Sequence, residues 1–465
     1  RGCITLVALV VVGAGPFVGC SDRASKAEAP AWTTVGQRVP FDFAVPLPTV
    51  GPLSIGEGFV GVKASDCGMC HQALYEEWRG STHAAAMKDP QYYAELSKPG
   101  SPRWLCLSCH APVQNQRRWL ISSKTRLRDN SLYVEPIERI SNPSFDPEMQ
   151  REGVTCATCH VRVDDGHTYV VAAKVSQRAP HPVRADQVAL RSICQRCHDP
   201  GEGRITPQFF CWFETAREAP EEASEDCVTC HMPSVNRSIV AGGPRRANRH
   251  HFWTGGGVPK AYEGYDQLLD RGYVPGLSVV ARIESATVTI TLTNERAGHY
   301  VTSADPERFI WVQTVVEDES GRRQVVDARR IGQTWDWGAT QPEVRPARRV
   351  ADDRIPPQGS KTWRFVVPQP AARVTVSAAH VRLTPSNARH MKRTPVHPEL
   401  VDIWPQASEQ VANIDRIYQM RTWFAKTTTV DGRNWVHTPL EKLLSASKRL
   451  QNSDLKAIES ILNVP

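Results

Sequence analysis

The pattern Cys-x-x-Cys-His occurs five times in this chain of 465 residues, and it constrains the fold more than any other feature. With 13 Cys and 15 His in the sequence, chance alone gives an expected count of about 0.01. The paired cysteines are Cys67 and Cys70, Cys106 and Cys109, Cys156 and Cys159, Cys194 and Cys197, and Cys227 and Cys230. The histidines that directly follow them are His71, His110, His160, His198 and His231.

Covalent haem attachment explains this spacing. Two thiols add across the two vinyl groups of one haem, and the next residue ligates the iron axially through its imidazole. Zinc knuckles and disulfides closed within each pair are the alternatives. Zinc knuckles do not require a histidine directly after the second cysteine, yet all five motifs of this chain have one. The sequence therefore predicts five haem c groups, packed closely because the motifs leave little room for a core of protein alone.

An apolar run near the start of the chain predicts export. It extends over residues 4–18, is interrupted by Pro16, and is too short to span a bilayer comfortably, so it is typical of a signal-peptide core. The residues at 17–20, Phe-Val-Gly-Cys, resemble a bacterial lipobox, which makes Cys20 the candidate for lipidation. Simple cleavage and a retained anchor are the alternatives. We expect a lipoprotein of the periplasm or cell surface, anchored to the membrane.

Composition and periodicity divide the chain into five parts. Residues 1–19 are the predicted signal peptide of lipoprotein type, and residues 20–55 are an Ala- and Pro-rich tether. Residues 56–273 form the predicted pentahaem cytochrome c domain, which is haem-packed and mainly α-helical or irregular. Period-two alternation predicts an antiparallel β-sandwich at 274–400, and apolar residues at helical spacing predict a helical tail at 401–465. The alternating stretches are residues 286–292, 310–316, 362–367 and 373–377.

The sixth ligand of each iron decides what such a protein does, because a second histidine makes an electron carrier whereas an open position permits catalysis. Residues 73–87 are predicted to form a helix, which separates His71 from His83 by about 18 Å along its axis. If His83 is a ligand, it therefore serves a different haem. His181 lies between two prolines in an extended loop and is another candidate.

Residues 71–83, His-Gln-Ala-Leu-Tyr-Glu-Glu-Trp-Arg-Gly-Ser-Thr-His, resemble the signature of the multihaem cytochromes c of the c-552/c-554 type. This family is related to the tetrahaem electron acceptor of hydroxylamine oxidoreductase. The resemblance covers about residues 56–320, and in the family the last histidine of this signature is a distal ligand. The resemblance therefore implies a ligand role for His83.

The same resemblance implies three further distal ligands. His167 follows the third motif, as a ligand does in the family. The His-His-Phe segment at 250–252 matches a family segment after the last motif, with His250 favoured over His251. His299, in an Asn-Glu-Arg-Ala-Gly-His segment, resembles a histidine of the β domains associated with this family, and as a ligand it would dock the β domain on a haem.

Three functions fit these features. The leading interpretation is an exported pentahaem c-type cytochrome that transfers electrons along bis-His haems in a respiratory chain, between a quinol-side donor and a periplasmic or surface acceptor. The alternatives are an oxidoreductase that acts on a small nitrogen or sulfur compound at one open-site haem, and a subunit of a haem-stacked filament. An electron carrier is favoured over an enzyme, and oligomer formation stays open. The 56 basic residues are interleaved with 49 acidic ones, so no nucleic-acid partner is expected.

Overall fold

A computed structural model describes residues 46–98, 101, 103–121, 139–199, 201–204, 210–219, 227–253, 274–336, 348–417, 421–429, 436–438 and 442. A first region, up to residue 253, contains short helices and small sheets, and a second region from residue 274 contains two larger antiparallel sheets. The predicted signal peptide and Cys20 lie outside the described residues. Among the described residues, no helix is long and apolar enough to cross a membrane.

The first region is built from short elements. Its helices are α1 (Ala64–Gly68), α2 (Gln72–Arg79), α3 (Pro90–Ser97), α4 (Arg103–His110), α5 (Pro147–Arg151), α6 (Cys156–His160), α7 (Gln187–His198) and α8 (Cys227–His231). Its strands are β1 (Leu53–Ile55), β2 (Gly58–Val60), β3 (Trp119–Ile121), β4 (Arg139–Ser141), β5 (Val161–Asp164), β6 (His167–Ala172), β7 (Val183–Ala185), β8 (Gly201–Arg204), β9 (Phe210–Phe213), β10 (Ser234–Arg237) and β11 (Arg246–Arg249). The strands form local pairs and one three-stranded sheet, β5-β6-β7. The sequence analysis did not predict these strands, because most are too short to show a period-two pattern.

The helix predicted at residues 73–87 ends earlier than expected. Helix α2 stops at Arg79, and Gly80 and Ser81 follow it in a turn in which the Ser81 N–H donates to the Trp78 carbonyl at 2.8 Å. Glycine and serine are weak helix formers. The Trp78 indole also donates to the Val154 carbonyl at 2.8 Å, which anchors the end of α2 to the segment before the third motif.

The end of the predicted tether belongs to the first region instead. Val50 and Leu53 are buried and pack in one apolar cluster with Val113, Met149 and Val161. The tether prediction followed from the prolines in this stretch, but prolines do not prevent an extended segment from packing against a core. Within the part of the tether that the structure describes, the chain is therefore fixed to the first region.

The second region contains nine described strands and four described helices. The strands are β12 (Leu277–Glu284), β13 (Thr287–Asn294), β14 (Phe309–Glu317), β15 (Arg323–Asp336), β16 (Arg348–Asp352), β17 (Ser360–Val366), β18 (Arg373–Val381), β19 (Arg421–Thr429) and β20 (Val436–His437). The helices are α9 (Pro385–Lys392), α10 (Pro398–Val401), α11 (Ala407–Ala412) and α12 (Ile414–Ile417). One sheet has the order β12-β13-β17, and the other has the order β16-β15-β14-β18-β19-β20.

The two sheets of the second region share one apolar core. Strand β13 alternates strictly, so that Val288, Ile290 and Leu292 are fully buried. These residues cluster with Ile310 and Val376 of the other sheet. The sheets therefore form the predicted antiparallel sandwich, and the four alternating stretches correspond to β13, β14, β17 and β18.

The predicted helical tail is only partly helical. Strand β19 pairs with β18, and its Trp423 and Phe424 enter the sandwich core, where burial outweighs the helical pattern around them. Helices α11 and α12 lie within the tail as predicted. The predicted helical run at residues 440–450 lies outside the described residues, apart from residue 442.

Packing between the two regions is direct. Tyr93 and Leu96 of α3 are buried in a cluster with Met391 of α9 and Ile414 of α12. Arg382, which follows β18, donates to the Asp89 carboxylate at 2.6 Å and to the Gln91 amide oxygen at 2.7 Å. This interface sets the sandwich against the region that carries the motifs.

Candidate functional site

One continuous cavity of about 3050 Å³ passes through the first region and reaches the second. All ten motif cysteines and all five motif histidines line it. A pocket for one small molecule has about 300–1000 Å³, so this cavity has room for several large groups. The cysteines carry thiols rather than disulfides, which does not agree with the alternative of disulfides closed within each pair.

Local helical structure gives each motif its shape. The second to fifth motifs coincide with the last turn of α4, with α6, with the last turn of α7 and with α8. The first motif begins at the end of α1, and its His71 N–H donates to the Cys67 carbonyl at 2.9 Å in a helical turn. Residues at i, i+3 and i+4 share one helix face, so both thiols and the imidazole point to the same side.

Four motif histidines face a second histidine across the cavity. The pairs are His71 with His181, at 6.4 Å between ring centres, His83 with His198, at 6.3 Å, His160 with His251, at 6.2 Å, and His231 with His299, at 6.3 Å. Two imidazoles bound on opposite sides of one metal ion at about 2 Å each have ring centres about 6.3 Å apart. These residues therefore fit an iron between each pair, with the motif thiols beside it.

Hydrogen bonds from the outer ring nitrogens orient these imidazoles. The Nδ1 atoms of His71, His160, His251 and His299 lie 2.8 Å from Ile239 O, 3.0 Å from Val171 O, 3.0 Å from Arg249 O and 2.9 Å from Tyr300 O, respectively. An Nδ1–H that donates to a carbonyl leaves Nε2 as the nitrogen that can bind a metal. The backbone thus selects the tautomer that ligation requires.

Three of the predicted distal residues lie opposite a motif histidine. His83 faces the fourth motif, which agrees with the expectation that it cannot serve the first. His181 faces the first motif, and His299 of the sandwich faces the fifth. The pairing of these residues with motifs was open at the level of sequence, since each partner is distant along the chain.

The choice of His250 over His251 needs correction. The ring opposite His160 belongs to His251, which lines the cavity, whereas His250 is not among the lining residues. The Nδ1 of His250 lies 2.6 Å from Glu77 Oε1 instead. Because successive residues of an extended segment point to opposite sides, only one of the two rings can face the third motif.

The interpretation of His167 also needs correction. Asp165 and Gly166 have φ angles of 45° and 75° and form a tight turn between β5 and β6, which pairs His167 with Asp164 at the outer end of the hairpin. The His167 side chain is exposed and is not among the cavity-lining residues. Its closeness to the third motif in sequence therefore does not bring it opposite His160.

The second motif has an aromatic neighbour that the sequence analysis missed. The Tyr92 ring stacks on the His110 ring, with centres 3.6 Å apart and planes 1° apart, and His110 Nδ1 lies 2.8 Å from the Ala86 carbonyl. Burial raises the pKa of Tyr92 well above its usual value. A tyrosine in an amphipathic helix is most often a core residue, so no signal in the sequence distinguished it.

Burial favours the neutral form of two of these imidazoles, those of His198 and His251. It lowers the pKa of His198 to about 4, with the nearby His231 acting in the same direction. It also lowers the pKa of His251 to about 4, with His160 adding to the effect. Neutral imidazole is the form that binds metals, so these side chains are ready to ligate at neutral pH.

Thiols of different motifs influence one another's pKa, which shows how close the sites are. The Cys67 thiol interacts with the Cys156 thiol, and the Cys109 thiol with the Cys197 thiol. The same holds for Cys194 and Cys227. The helices that carry these cysteines also pack on one another: α1 packs on α6, α6 on α7, and both α4 and α8 on α7. The fourth motif is therefore the junction of the arrangement.

A buried guanidinium beside the second motif also fits an anionic cofactor. Arg117 donates to the Trp104 carbonyl at 3.0 Å and to Ser108 Oγ at 3.2 Å, while its Nε has no hydrogen-bond partner. Burial lowers the pKa of Arg117 to about 10, and no carboxylate among the described residues forms a salt bridge with it. A buried charge without a counterion is costly. The negative charges of haem have the sign that this position requires.

Residues 66–131, which include the first two motifs and His83, match the family model of cytochrome c554 and c-prime. Over these residues the match agrees with the resemblance to multihaem cytochromes c, and it supports haem c as the cofactor. No curated protein matches the chain. A penta-heme cytochrome c552 from Thermochromatium tepidum is a similar solved structure, at 18% identity and a TM-score of 0.49, with 79% of this chain and 98% of that chain covered.

Proposed function

We propose that this chain, which carries a cytochrome c554 and c-prime segment at residues 66–131, is an exported pentahaem c-type cytochrome that transfers electrons along closely packed haems. The observation that carries the proposal is the set of four imidazole pairs, with ring centres 6.2 to 6.4 Å apart, along one cavity. Two histidines per iron keep the metal six-coordinate, which suits electron transfer.

The chain holds its sites in a branched series. Haem c, when bound, supplies the iron that gains and loses one electron. The packing of α1 on α6, of α6 on α7 and of α7 on α8 keeps the first, third, fourth and fifth motifs adjacent in that order. Helix α4 adds the second motif as a branch on α7. This order provides a continuous route between the first and fifth sites.

The first and fifth motifs are the two ends of this route, since α1 packs on α6 and α8 packs on α7. We therefore place a quinol-side donor at one end and a periplasmic or surface acceptor at the other. Lipidation at Cys20 would hold the protein at the membrane where such a donor acts.

Electron paramagnetic resonance of the oxidised holoprotein at low temperature tests this function. Mass spectrometry should first show five covalently attached haems. We expect low-spin signals from the four haems at the imidazole pairs, and no carbon monoxide binding by these four haems in the reduced protein. A stoichiometric high-spin signal that shifts with nitrite, hydroxylamine or sulfite would overturn the carrier function in favour of the oxidoreductase. Polymers in light scattering would instead favour the filament subunit.

A further inference from the structure

Two adjacent histidines, His250 and His251, follow β11, and one carboxylate contacts both of them. Glu77, on helix α2, accepts a hydrogen bond from the His250 ring at Oε1, at 2.6 Å from Nδ1. Its Oε2 accepts the backbone N–H of His251 at 2.8 Å. The same side chain therefore fixes the ring of one histidine and the backbone of the next.

Arg237, on β10, holds this carboxylate in place. Its two terminal nitrogens donate to Glu77 Oε1 at 2.5 Å and to Glu77 Oε2 at 2.8 Å. It also donates to the Arg249 carbonyl at 2.8 Å, and that same carbonyl lies 3.0 Å from Nδ1 of His251. The side chains of Arg237 and Glu77 are 14% and 18% exposed, and a bidentate, largely buried pair has a well-defined orientation.

The geometry points to Glu77 as the positioning residue that assigns His251, and not His250, as the sixth ligand of the haem at the third motif. The inference rests on the proposed function, because it requires a haem between His160 and His251. With its Nδ1 bonded to Glu77, the His250 ring is turned away from the cavity, while the fixed backbone directs the His251 ring towards His160 at 6.2 Å. Since α2 directly follows the first motif, ligation at the third site depends on a residue beside the first.

Replacement of Glu77 tests this assignment by spectroscopy. In Glu77→Ala, His250 loses its anchor and competes for the iron, so the low-spin signal of one haem should split into two species with different g values. The second species should disappear in the double variant Glu77→Ala/His250→Ala. In Glu77→Gln, which retains one acceptor oxygen, the original species should largely return.

The matched control is Glu76→Ala. Glu76 is the preceding carboxylate of the same helix, and it pairs at the surface with Arg79, with the two side chains 51% and 63% exposed. This variant should leave every signal unchanged. A Glu77→Ala spectrum identical to that of the wild type would overturn the inference, as would the loss of a low-spin signal in His250→Ala.

The ligand itself is tested by His251→Ala. We expect one of the five haems to become high-spin and to return to low-spin with added imidazole, while His250→Ala keeps all signals. Haem counting by mass spectrometry accompanies each variant. A wild-type protein with fewer attached haems, or with a high-spin third site, would refute the proposed function itself, which separates that failure from a failure of the Glu77 assignment.

Discussion

The two regions of this protein fill their interiors differently. In the sandwich, Val288, Ile290 and Leu292 of one sheet meet apolar residues of the other sheet, and the chain alone makes a core. In the first region, the twelve-residue helix α7 has no buried residue, and neither does α8. Both helices instead line the cavity with their cysteines and histidines. The contrast supports the proposal of bound haem, which would take the place of side-chain packing in the first region.

Buried charge shows the same contrast. In the second region, the buried Arg354 pairs with two carboxylates, those of Asp352 and Glu218. In the first region, the equally buried Arg117 donates to two neutral oxygens of the described residues, the Trp104 carbonyl and Ser108 Oγ. The buried charge of the sandwich is therefore balanced by carboxylates of the chain, one of them from the first region, whereas Arg117 is a charge that a cofactor can balance.

Loss of covalent attachment at the fourth motif should have the largest effect. In a Cys194→Ala/Cys197→Ala variant, α7 has no packed face of its own, so we expect loss of amide protection in α7 and in the helices around it. Strands β13 and β14 should keep their protection. Hydrogen exchange with mass spectrometry measures both in one sample.

The control for that variant is Cys227→Ala/Cys230→Ala, which removes attachment at the fifth motif. Its effect should be confined to α8 and the nearby sandwich loop. If α7 kept full protection without attached haem, the proposed difference between the two interiors would be wrong.

A cavity in the sandwich core should have the next largest effect. Ile290→Ala should lower the free energy of unfolding by about 2–5 kcal/mol, because Ile290 is fully buried between the sheets. Val280→Ala, at a position 44% exposed on the neighbouring strand, should change it little. Denaturant titration followed by circular dichroism measures the free energy of unfolding. The haem absorption spectrum of the variant should not change. A changed haem spectrum at low denaturant would mean that the two interiors are not independent.

The smallest of these effects concerns Arg117. Reduction adds one negative charge to a haem, and a buried cation stabilises that charge. Arg117→Gln should therefore lower the equilibrium constant for reduction of the haem at the second motif about tenfold. This change corresponds to a reduction potential that is lower by about 59 mV for one electron. Arg117→Lys should retain most of the wild-type value. Arg354→Gln, in which the charge is already paired, should leave all potentials unchanged in a spectroscopic redox titration.

Much of the fold was predictable where the pattern is local and repeats. The alternation in residues 286–292 predicted β13, since each second side chain of a strand enters the core. The short strands β1 to β11 were not predictable, because most of them have only three or four residues. The strand nature of β19 depends on Trp423 and Phe424 reaching a core made by distant strands, so a local helical pattern was misleading.

The site was predictable to a similar extent. Family resemblance predicted His83 and His299, and position in a loop predicted His181, as candidates that the structure places opposite motif histidines, but none of these observations assigned a partner. His167 and His250 were chosen by their position in the sequence, and both lie away from the cavity in the structure. Arg117 and Tyr92 had no motif, so only burial and contact reveal them.

The sequence by itself determined where two thiols and one imidazole come together as a candidate haem attachment site, because within five consecutive residues they occupy one turn of helix whatever surrounds them. Only the tertiary structure decided which histidine faces each motif. A pair such as His160 and His251 forms when segments far apart in sequence pack together, and the choice between two neighbouring histidines depends on a single contact with Glu77. Such contacts leave no periodic pattern in the chain.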